Sequence, residues 1–285
     1  MPWAPREFKL SVRAAGGGVA ATVADNGMSA SNPGHILLLV HGYNNSETDA
    51  AESYRAFIEK VEIAFGSRIS MAAPDVVAKF NWPGDQSTAF GTTVGYPFDI
   101  TNARDSARVL ANYLLGLPVR GSGASRRVTV VGHSMGCRLI LEALGRPRVG
   151  SVPGLEIVAL MAAASPVDFV KRNGRLFRTG NPPRRMQKFY SEQDRVLQVA
   201  FPLGQWLAYQ WQIEDNNYIE AIGRYGHPPE FGDGRQTSNH HGQYWNDQNI
   251  AAYLVELIDP ATRTDLQQRS LVPPWEIGGR SLPTR

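Results

Sequence analysis

The feature that most constrains this chain is a serine enclosed by two glycines, in the run Gly132-His133-Ser134-Met135-Gly136. A β-branched run, Val128-Thr129-Val130-Val131, precedes it, and the run from Cys137 to Leu144 that follows has the apolar spacing of a helix. A strand, a tight turn and a helix in this order push a serine hydroxyl out at the carboxyl edge of a sheet. The small flanking residues would let the strand and the helix approach closely. The sequence therefore predicts that Ser134 is a nucleophile on a strand–turn–helix elbow.

Strand and helix patterns alternate along the chain. Apolar or β-branched runs predict strands at residues 35–40, 76–80, 127–131, 157–161 and 186–190, with two further short strands between Phe8 and Val23. Apolar residues at helical spacing predict helices at about 50–65, 103–115, 137–144 and 250–258. Such alternation is typical of an α/β fold with a mostly parallel central sheet and helices on both faces.

One segment, residues 198–239, fits this alternation poorly. It contains a group of aromatic residues, Trp206, Tyr209, Trp211, Tyr218 and Tyr225, and then the loop-like run His227 to Gly234. We interpret it as a cap or insertion within a single domain that covers residues 1–258. Residues 259–285 are rich in proline and arginine, which predicts a loose or surface-wrapped tail.

The composition is that of an ordinary globular protein of 285 residues, 42% hydrophobic and 19% charged. A formal charge of +3 is too small to predict a nucleic-acid partner. The chain has no long apolar run typical of a membrane span and no apolar core of a secretory signal near its start. Its one cysteine, Cys137, cannot form an internal disulfide, which fits a reducing compartment. We therefore expect a cytoplasmic protein.

Basic residues concentrate in one short segment: Lys171, Arg172, Arg175, Arg178, Arg184 and Arg185. Two interpretations are open. The segment is a solvated basic loop, or it is a surface that attracts an anionic substrate or lipid headgroups, in which case peripheral lipid contact would follow.

A second part of the site is predicted in the loop that follows the strand at residues 35–40. Acyl transfer requires donors aimed at the developing oxyanion. One is the backbone N–H of Met135, directly after the nucleophile, and Gly42 would let its loop turn the N–H of Tyr43 toward the same point. We predict Tyr43 and Met135 as the oxyanion hole. His41 lies upstream of the serine, and we interpret it as a residue that braces this loop.

Carboxylates follow two of the predicted strands downstream of the serine. Asp194 comes after the strand that ends at Tyr190, and Asp168 comes after the preceding strand. A carboxylate at the carboxyl end of a strand is well placed to orient an imidazole. Asp194 has the better register and is favoured as the acid, with Asp168 as the alternative and Glu192 as a weaker third candidate.

Two adjacent histidines, His240 and His241, stand just before the last predicted helix, where the base loop belongs. The other four are excluded by position: His35, His41, His133, which is the variable residue of the elbow, and His227 in a proline-rich loop. His241 is favoured because the glycine after it gives the loop room to turn toward Ser134. Adjacent histidines point apart on an extended chain and no third ligand is evident, so we expect no metal site.

With these residues in view, the chain resembles the α/β-hydrolase superfamily of serine esterases and lipases, and more narrowly a bacterial branch of largely unassigned substrate. The stretches that carry the resemblance are residues 38–45, 80–84, 131–139 and 191–197. In that branch the aspartate before a Val-Leu pair is the triad acid, which implies Asp194, and residues 241–245 are similar to the base loop of many lipases. The doubled histidine and the aromatic insertion depart from the pattern. The resemblance implies an α/β-hydrolase fold, no cofactor and no metal.

The predicted function is hydrolysis of a small-molecule or lipid ester through Ser134, His241 and Asp194 by way of an acyl-enzyme. The same residues would also serve acyl transfer, or the cleavage of an amide or a thioester. From a different class, the fold can persist as a binding module without chemistry. These alternatives stay open, as do the acyl-chain length and the oligomeric state.

Overall fold

The computed structural model describes residues 3–66, 70, 72–85, 92–117, 126–146, 154–176 and 185–260. Its strands are β1 (Arg6–Arg13), β2 (Val19–Ala24), β3 (His35–Val40), β4 (Val76–Asn81), β5 (Arg127–His133), β6 (Leu155–Met161), β7 (Arg185–Tyr190) and β8 (Asp233–Gln236). Its helices are α1 (Glu47–Phe65), α2 (Thr92–Gly116), α3 (Met135–Leu144), α4 (Val167–Val170), α5 (Phe201–Gln210), α6 (Ile222–Tyr225) and α7 (Gln248–Ile258). A π-helical turn at Val196–Ala200 leads directly into α5.

All eight strands form one sheet in the order β2-β1-β4-β3-β5-β6-β7-β8. Only β2 runs antiparallel to its neighbour, and every other pairing is parallel. The central strand β3 is buried at all six residues, as expected for a parallel strand covered on both faces. Helix α1 packs against α7, and α2 packs against α3. The α/β fold predicted from the alternation of patterns is confirmed.

The apolar spacing that predicts α1 describes the face that the helix buries. Ala50, Tyr54, Phe57, Ile58, Val61 and Phe65 are its buried residues. The helix begins at a capping box, in which the Ser46 side chain accepts from the Asp49 N–H and the Asp49 side chain accepts from the Ser46 N–H. This start places the loop at residues 41–46 between the end of β3 and α1.

One part of the predicted insertion at residues 198–239 needs correction, because Asp233–Gln236 is the strand β8. It pairs in parallel with β7, with Gln187 opposite Asp233. An edge strand with mostly exposed residues needs no apolar alternation, so its sequence, Asp-Gly-Arg-Gln, gives no strand signal. The rest of the segment contains α5 and α6. The predicted tail from residue 261 onward lies outside the described residues.

A cluster of buried charges ties the chain after α5 to two other helices. Arg138 of α3 is fully buried and its guanidinium pairs with Glu214, which also accepts from Arg104 of α2 at 2.7 Å. Glu142 of α3 pairs with Arg175, whose guanidinium lies 3.8 Å from the ring centre of Phe169. Removing Glu214 would leave the fully buried Arg138 with only the more distant Glu142, at 3.7 Å, and would therefore be costly.

The basic segment predicted at residues 171–185 is therefore partly structural. Arg175 is partly exposed but pairs with the buried Glu142 of the cluster, and Lys171 pairs with Asp168 at 2.8 Å. Arg178 and Arg184 lie outside the described residues. No helix in the described part of the chain is long and apolar enough to cross a membrane.

Candidate active site

Ser134 occupies the turn between β5 and α3 with a backbone that non-glycine residues rarely adopt, φ 54° and ψ −123°. Three backbone hydrogen bonds hold it there. Its N–H donates to the Met161 carbonyl at 2.9 Å, and its own carbonyl accepts from Cys137 at 3.0 Å and from Ala164 at 3.1 Å. The fold thus imposes a strained conformation that directs the serine side chain away from the strand and the helix.

The two glycines of the elbow are required by close approach. A Cβ at Gly132 would lie 2.4 Å from the Ile140 side chain, and one at Gly136 would lie 2.3 Å from the His41 carbonyl oxygen. Gly136 therefore lets the amino end of α3 contact the loop that follows β3. This agrees with the sequence argument that small residues allow the strand and the helix to meet.

Three of the predicted site residues are joined in series by two hydrogen bonds. His241 Nε2 is 2.9 Å from Ser134 Oγ, and His241 Nδ1 is 2.8 Å from Asp194 Oδ2. Asp194 is fully buried, and its second oxygen accepts from the Leu197 N–H at 3.0 Å. The carboxylate is thus held from both sides, and it follows β7 as the sequence predicts.

The alternative candidates for the acid and the base do not reach Ser134 or His241. Asp168 is in α4, half exposed, and pairs with the equally exposed Lys171. Glu192 accepts from the exposed Gln236 side chain at 3.3 Å. His240 is exposed, and its backbone N–H donates to the Gln243 side chain at 2.8 Å. Within the described part of the chain, none of these three contributes to the hydrogen bonds at Ser134.

His41 lies at the back of the loop at residues 41–46, the predicted oxyanion loop, and holds it in place. Its ring stacks on Trp82 with centroids 5.5 Å apart, its Nδ1–H donates to the Gly42 carbonyl at 2.9 Å, and its Nε2 accepts from the Trp82 N–H at 3.3 Å. Burial lowers the pKa of His41 to about 4, so the ring is neutral near pH 7. The bracing interpretation of His41 agrees with these contacts.

The predicted oxyanion residues lie next to the serine. A Cβ at Gly42 would stand 2.8 Å from Ser134 Cβ, so the loop contacts Ser134 at this glycine. Tyr43 follows it and lines the same cavity as Ser134. Met135 is the first residue of α3, and the first N–H groups of an α-helix have no carbonyl partner within the helix.

A cavity of about 320 Å³ opens at the serine. It is lined by Tyr43, Asn44, Tyr96, Ser134, Ala164, Val196, Leu197, Ala200, Phe201 and His241. The Tyr96 ring meets the rings of Tyr43 and Phe201 edge-on, at 5.8 and 6.4 Å between centroids. The π-helical turn and the start of α5 thus supply one apolar wall, and His241 is the only acidic or basic side chain among the described lining residues.

A larger cavity, of about 660 Å³, lies over Arg104, Arg175 and Glu214 and does not include Ser134. Its arginines are already paired with carboxylates of the buried cluster. We therefore take the smaller cavity as the candidate active site, because the hydrogen-bonded Ser134 and His241 meet an apolar wall there. The described residues contain no group of three or more histidine, cysteine, aspartate or glutamate side chains that could hold a metal ion.

One residue of the site is missed by the sequence argument, which treats His133 as the variable position of the elbow. Its Nε2–H donates to the carbonyl oxygen of His241 at 2.7 Å. The available signal is its position at the end of β5, since that strand end lies beside the base loop in a sheet of this order.

The profile of a family described as alpha/beta hydrolase of unknown function (DUF900) matches residues 19–212. The chain belongs to this family. The match includes Ser134 and Asp194 of this alpha/beta hydrolase and ends before His241. None of the curated proteins matches the chain. The family and the parallel sheet confirm the membership of the α/β-hydrolase superfamily that the sequence motifs predict.

Solved structures resemble this alpha/beta hydrolase at low identity. An uncharacterized protein from Bacillus cereus ATCC 10987 is 11% identical with a TM-score of 0.41, and the match covers 80% of this chain and 60% of that protein. The chain thus spans less than two thirds of the Bacillus cereus protein. Esterase PE8 is 14% identical with a TM-score of 0.41, over 82% of this chain and 92% of the esterase. Acyl-protein thioesterase 2 from Zea mays is 16% identical with a TM-score of 0.38, over 79% of this chain and 93% of the thioesterase.

Proposed function

We propose that this alpha/beta hydrolase is a serine hydrolase that cleaves carboxylic esters, with Ser134 as nucleophile, His241 as base and Asp194 as acid. One observation carries the proposal. A continuous chain of hydrogen bonds runs from Asp194 Oδ2 through the His241 ring to Ser134 Oγ, over 2.8 and 2.9 Å. A nucleophile within hydrogen-bond reach of a base that a third group orients is the arrangement that activates a serine.

The reaction proceeds in two steps. Ser134 Oγ attacks the acyl carbonyl while His241 Nε2 takes its proton, and Asp194 keeps the second proton on Nδ1 and stabilises the imidazolium. His241 then gives its proton to the alkoxide that leaves, and the acyl group remains on Ser134. In the second step a water molecule gives a proton to His241 and attacks the acyl carbonyl. The bond to Ser134 Oγ then breaks, His241 returns the proton to Oγ, and the acid is released.

The backbone N–H groups of Met135 and Tyr43 are the proposed donors to the oxyanion. Two features support this assignment. Met135 stands at the start of α3, where the helix dipole favours negative charge, and Tyr43 shares the cavity with Ser134. Donors fixed by the backbone need no reorganisation when the negative charge develops.

The cavity favours an uncharged acyl group of modest length, because its wall is mainly apolar and its volume is about 320 Å³. A small-molecule ester or a single acyl chain of a lipid ester satisfies this requirement. Acyl transfer to another nucleophile, and the cleavage of amides or thioesters, would use the same residues. Among the described residues, no specific contact favours these reactions over ester hydrolysis.

The test is covalent labelling with a fluorophosphonate probe, followed by hydrolysis of p-nitrophenyl esters of increasing chain length. We expect the wild-type protein to be labelled and Ser134→Ala not to be labelled. Thr22→Ala, which also removes a hydroxyl but at an exposed position of the strand β2 that does not line the cavity, serves as the matched control. A folded wild-type protein that resists the probe would refute the proposal and favour a binding module.

A further inference from the structure

His133 lies between the two loops that meet at Ser134. Its Nε2–H donates to the carbonyl oxygen of His241 at 2.7 Å, which fixes the backbone of the base loop. On the other side, a Cβ at Gly42 would stand 3.1 Å from His133 Nδ1, so the ring also contacts the oxyanion loop. One side chain at the end of β5 thus abuts both loops.

The ring of His133 is itself fixed by aromatic neighbours. Its centroid lies 5.0 Å from that of His241, 5.9 Å from Tyr244 and 5.9 Å from Trp245. Trp245 in turn packs edge-on against Phe57 of α1 at 5.3 Å. The hydrogen bond to His241 therefore starts from a donor that packing holds still.

Away from His133, the base loop is held by hydrogen bonds within itself, from the His240 N–H to the Gln243 side chain at 2.8 Å and from the Gln243 N–H to the His240 carbonyl at 3.0 Å. Gly242, directly after His241, is exposed, and a Cβ placed there would meet no atom within 4 Å. The Nε2–H of His133 is thus an anchor for this stretch of backbone on its inner side.

The ring of His133 has one defined protonation state. A carbonyl oxygen can only accept, so the proton that bonds to His241 is on Nε2. Burial lowers the pKa of His133 to about 3, which keeps the ring uncharged near pH 7. A neutral ring does not oppose the imidazolium that would form 5.0 Å away on His241.

We propose that His133 is a positioning residue that holds the His241 carbonyl and thereby aims His241 Nε2 at Ser134 Oγ. The inference rests on the proposed hydrolase function and adds a residue to it. A displacement of the reacting groups by roughly 1 Å can lower the reaction rate on the order of a hundredfold. One hydrogen bond that fixes the backbone at His241 is therefore sufficient to change kcat.

Two substitutions separate the anchor from the packing. His133→Phe keeps a ring of similar size and removes the donor, while His133→Gln keeps an N–H that can reach the same carbonyl. We expect His133→Phe to lower kcat by at least about tenfold while KM stays near the wild-type value, because substrate contacts are unchanged. We expect His133→Gln to recover most of that loss.

The matched control is His35→Phe. His35 is also buried, and its Nδ1–H donates to the Ala72 carbonyl at 2.9 Å. It is the first residue of β3, so it lies at the amino ends of the parallel strands, whereas Ser134 lies at their carboxyl ends. It should lower the thermal midpoint without lowering kcat of the folded protein. Thermal unfolding of every variant shows that the comparison is made on folded protein.

The rate of fluorophosphonate labelling distinguishes the two ways in which the inference can fail. If the wild type is labelled and His133→Phe reacts at the same rate with the same kcat, the positioning role is wrong and the proposed hydrolase stands. Equal losses in His133→Phe and His133→Gln would also overturn it, because the N–H would then have no special part. If the wild type is not labelled, the proposed function itself fails, and the positioning role fails with it.

Discussion

Gly42 and Ser134 are in direct contact, so that a Cβ added at Gly42 would stand 2.8 Å from the Cβ of Ser134. The loop at residues 41–46 and Ser134 are therefore fitted to each other at a point where only a hydrogen atom has room. Any side chain at Gly42 must displace the loop, the serine, or both.

Gly42→Ala is expected to reduce kcat/KM by about a hundredfold, because a displacement of roughly 1 Å misaligns the serine with the donor at Tyr43. Steady-state hydrolysis of a p-nitrophenyl ester measures the loss. Gly16→Ala is the control, since a Cβ there meets no atom within 4 Å. If Gly42→Ala retains wild-type activity, the loop does not need its present position.

Ser134→Gly should be more stable than Ser134→Ala by about 1 kcal/mol, because glycine adopts the positive φ of this position without strain. Both variants lack the hydroxyl, and neither should react with a fluorophosphonate. Urea denaturation of the two gives the difference in the free energy of unfolding. Equal stabilities would show that the elbow stores no backbone strain.

Asp194→Asn is expected to lower kcat by about 10⁴-fold, because the amide no longer holds the His241 tautomer that presents a free Nε2 to Ser134. Asp168→Asn should leave kcat near wild type, since its carboxylate is half exposed and paired with Lys171. Both are measured with the same ester. A large loss in Asp168→Asn with Asp194→Asn near normal would reverse the assignment of the acid.

Three buried histidines predict a loss of stability in acid. Burial lowers the pKa of His35 and His41 to about 4 and that of His133 to about 3. An unfolded chain titrates its histidines near 6.5, so below that pH the unfolded state binds more protons than the native state. The free energy of unfolding therefore falls as the pH drops from about 6.5 toward 4, by up to about 1.4 kcal/mol per pH unit for each ring.

His35→Gln should make this pH dependence shallower, because one of the three groups is removed far from Ser134. Urea denaturation at about pH 7, 6 and 5 gives the slope, and the difference should approach one proton per molecule. An unchanged slope would mean that His35 is already charged in the native protein or exposed in a different fold.

Phe201→Ala should shift the ester preference toward longer acyl chains, since Phe201 lines the cavity and packs on Tyr96. Each extra methylene that becomes buried is worth about 0.8 kcal/mol, or roughly fourfold in kcat/KM. The measurement is the ratio of kcat/KM for p-nitrophenyl octanoate and butyrate. Leu203→Ala, at an exposed position of the same helix, is the control, and an equal shift in both variants would contradict the role of the wall.

Local sequence patterns were sufficient to predict the strands that are buried along nearly their whole length. The runs at β3 and β5 are buried along nearly their whole length, so continuous apolar sequence predicted them directly. The edge strand β8 was missed because an exposed strand has no such pattern. The helix α2 begins at Thr92, earlier than the predicted start near residue 103. The sequence hides this start, because a proline such as Pro97 usually marks the boundary of a helix and is rare in its interior.

For the site, the elbow motif named Ser134, and chain order with the local sequence favoured Asp194 over Asp168 and His241 over His240. The structure brings Ser134, Asp194 and His241 together. Sequence did not find His133, because this position of the elbow is variable and no local pattern shows that the end of β5 meets the His241 carbonyl. Such a contact depends on which strand ends face which loops, and that is a property of the assembled sheet.

The wall of the cavity is attached at both of its ends. Asp194 binds His241 before the π-helical turn, and Glu214 pairs with buried Arg138 after α5. The stretch between these two anchors carries no charged residue from Val196 to Ile213. This segment can therefore be varied as one unit. A library of variants confined to it can change the range of substrates while the hydrogen bonds that join Ser134, His241 and Asp194 are kept.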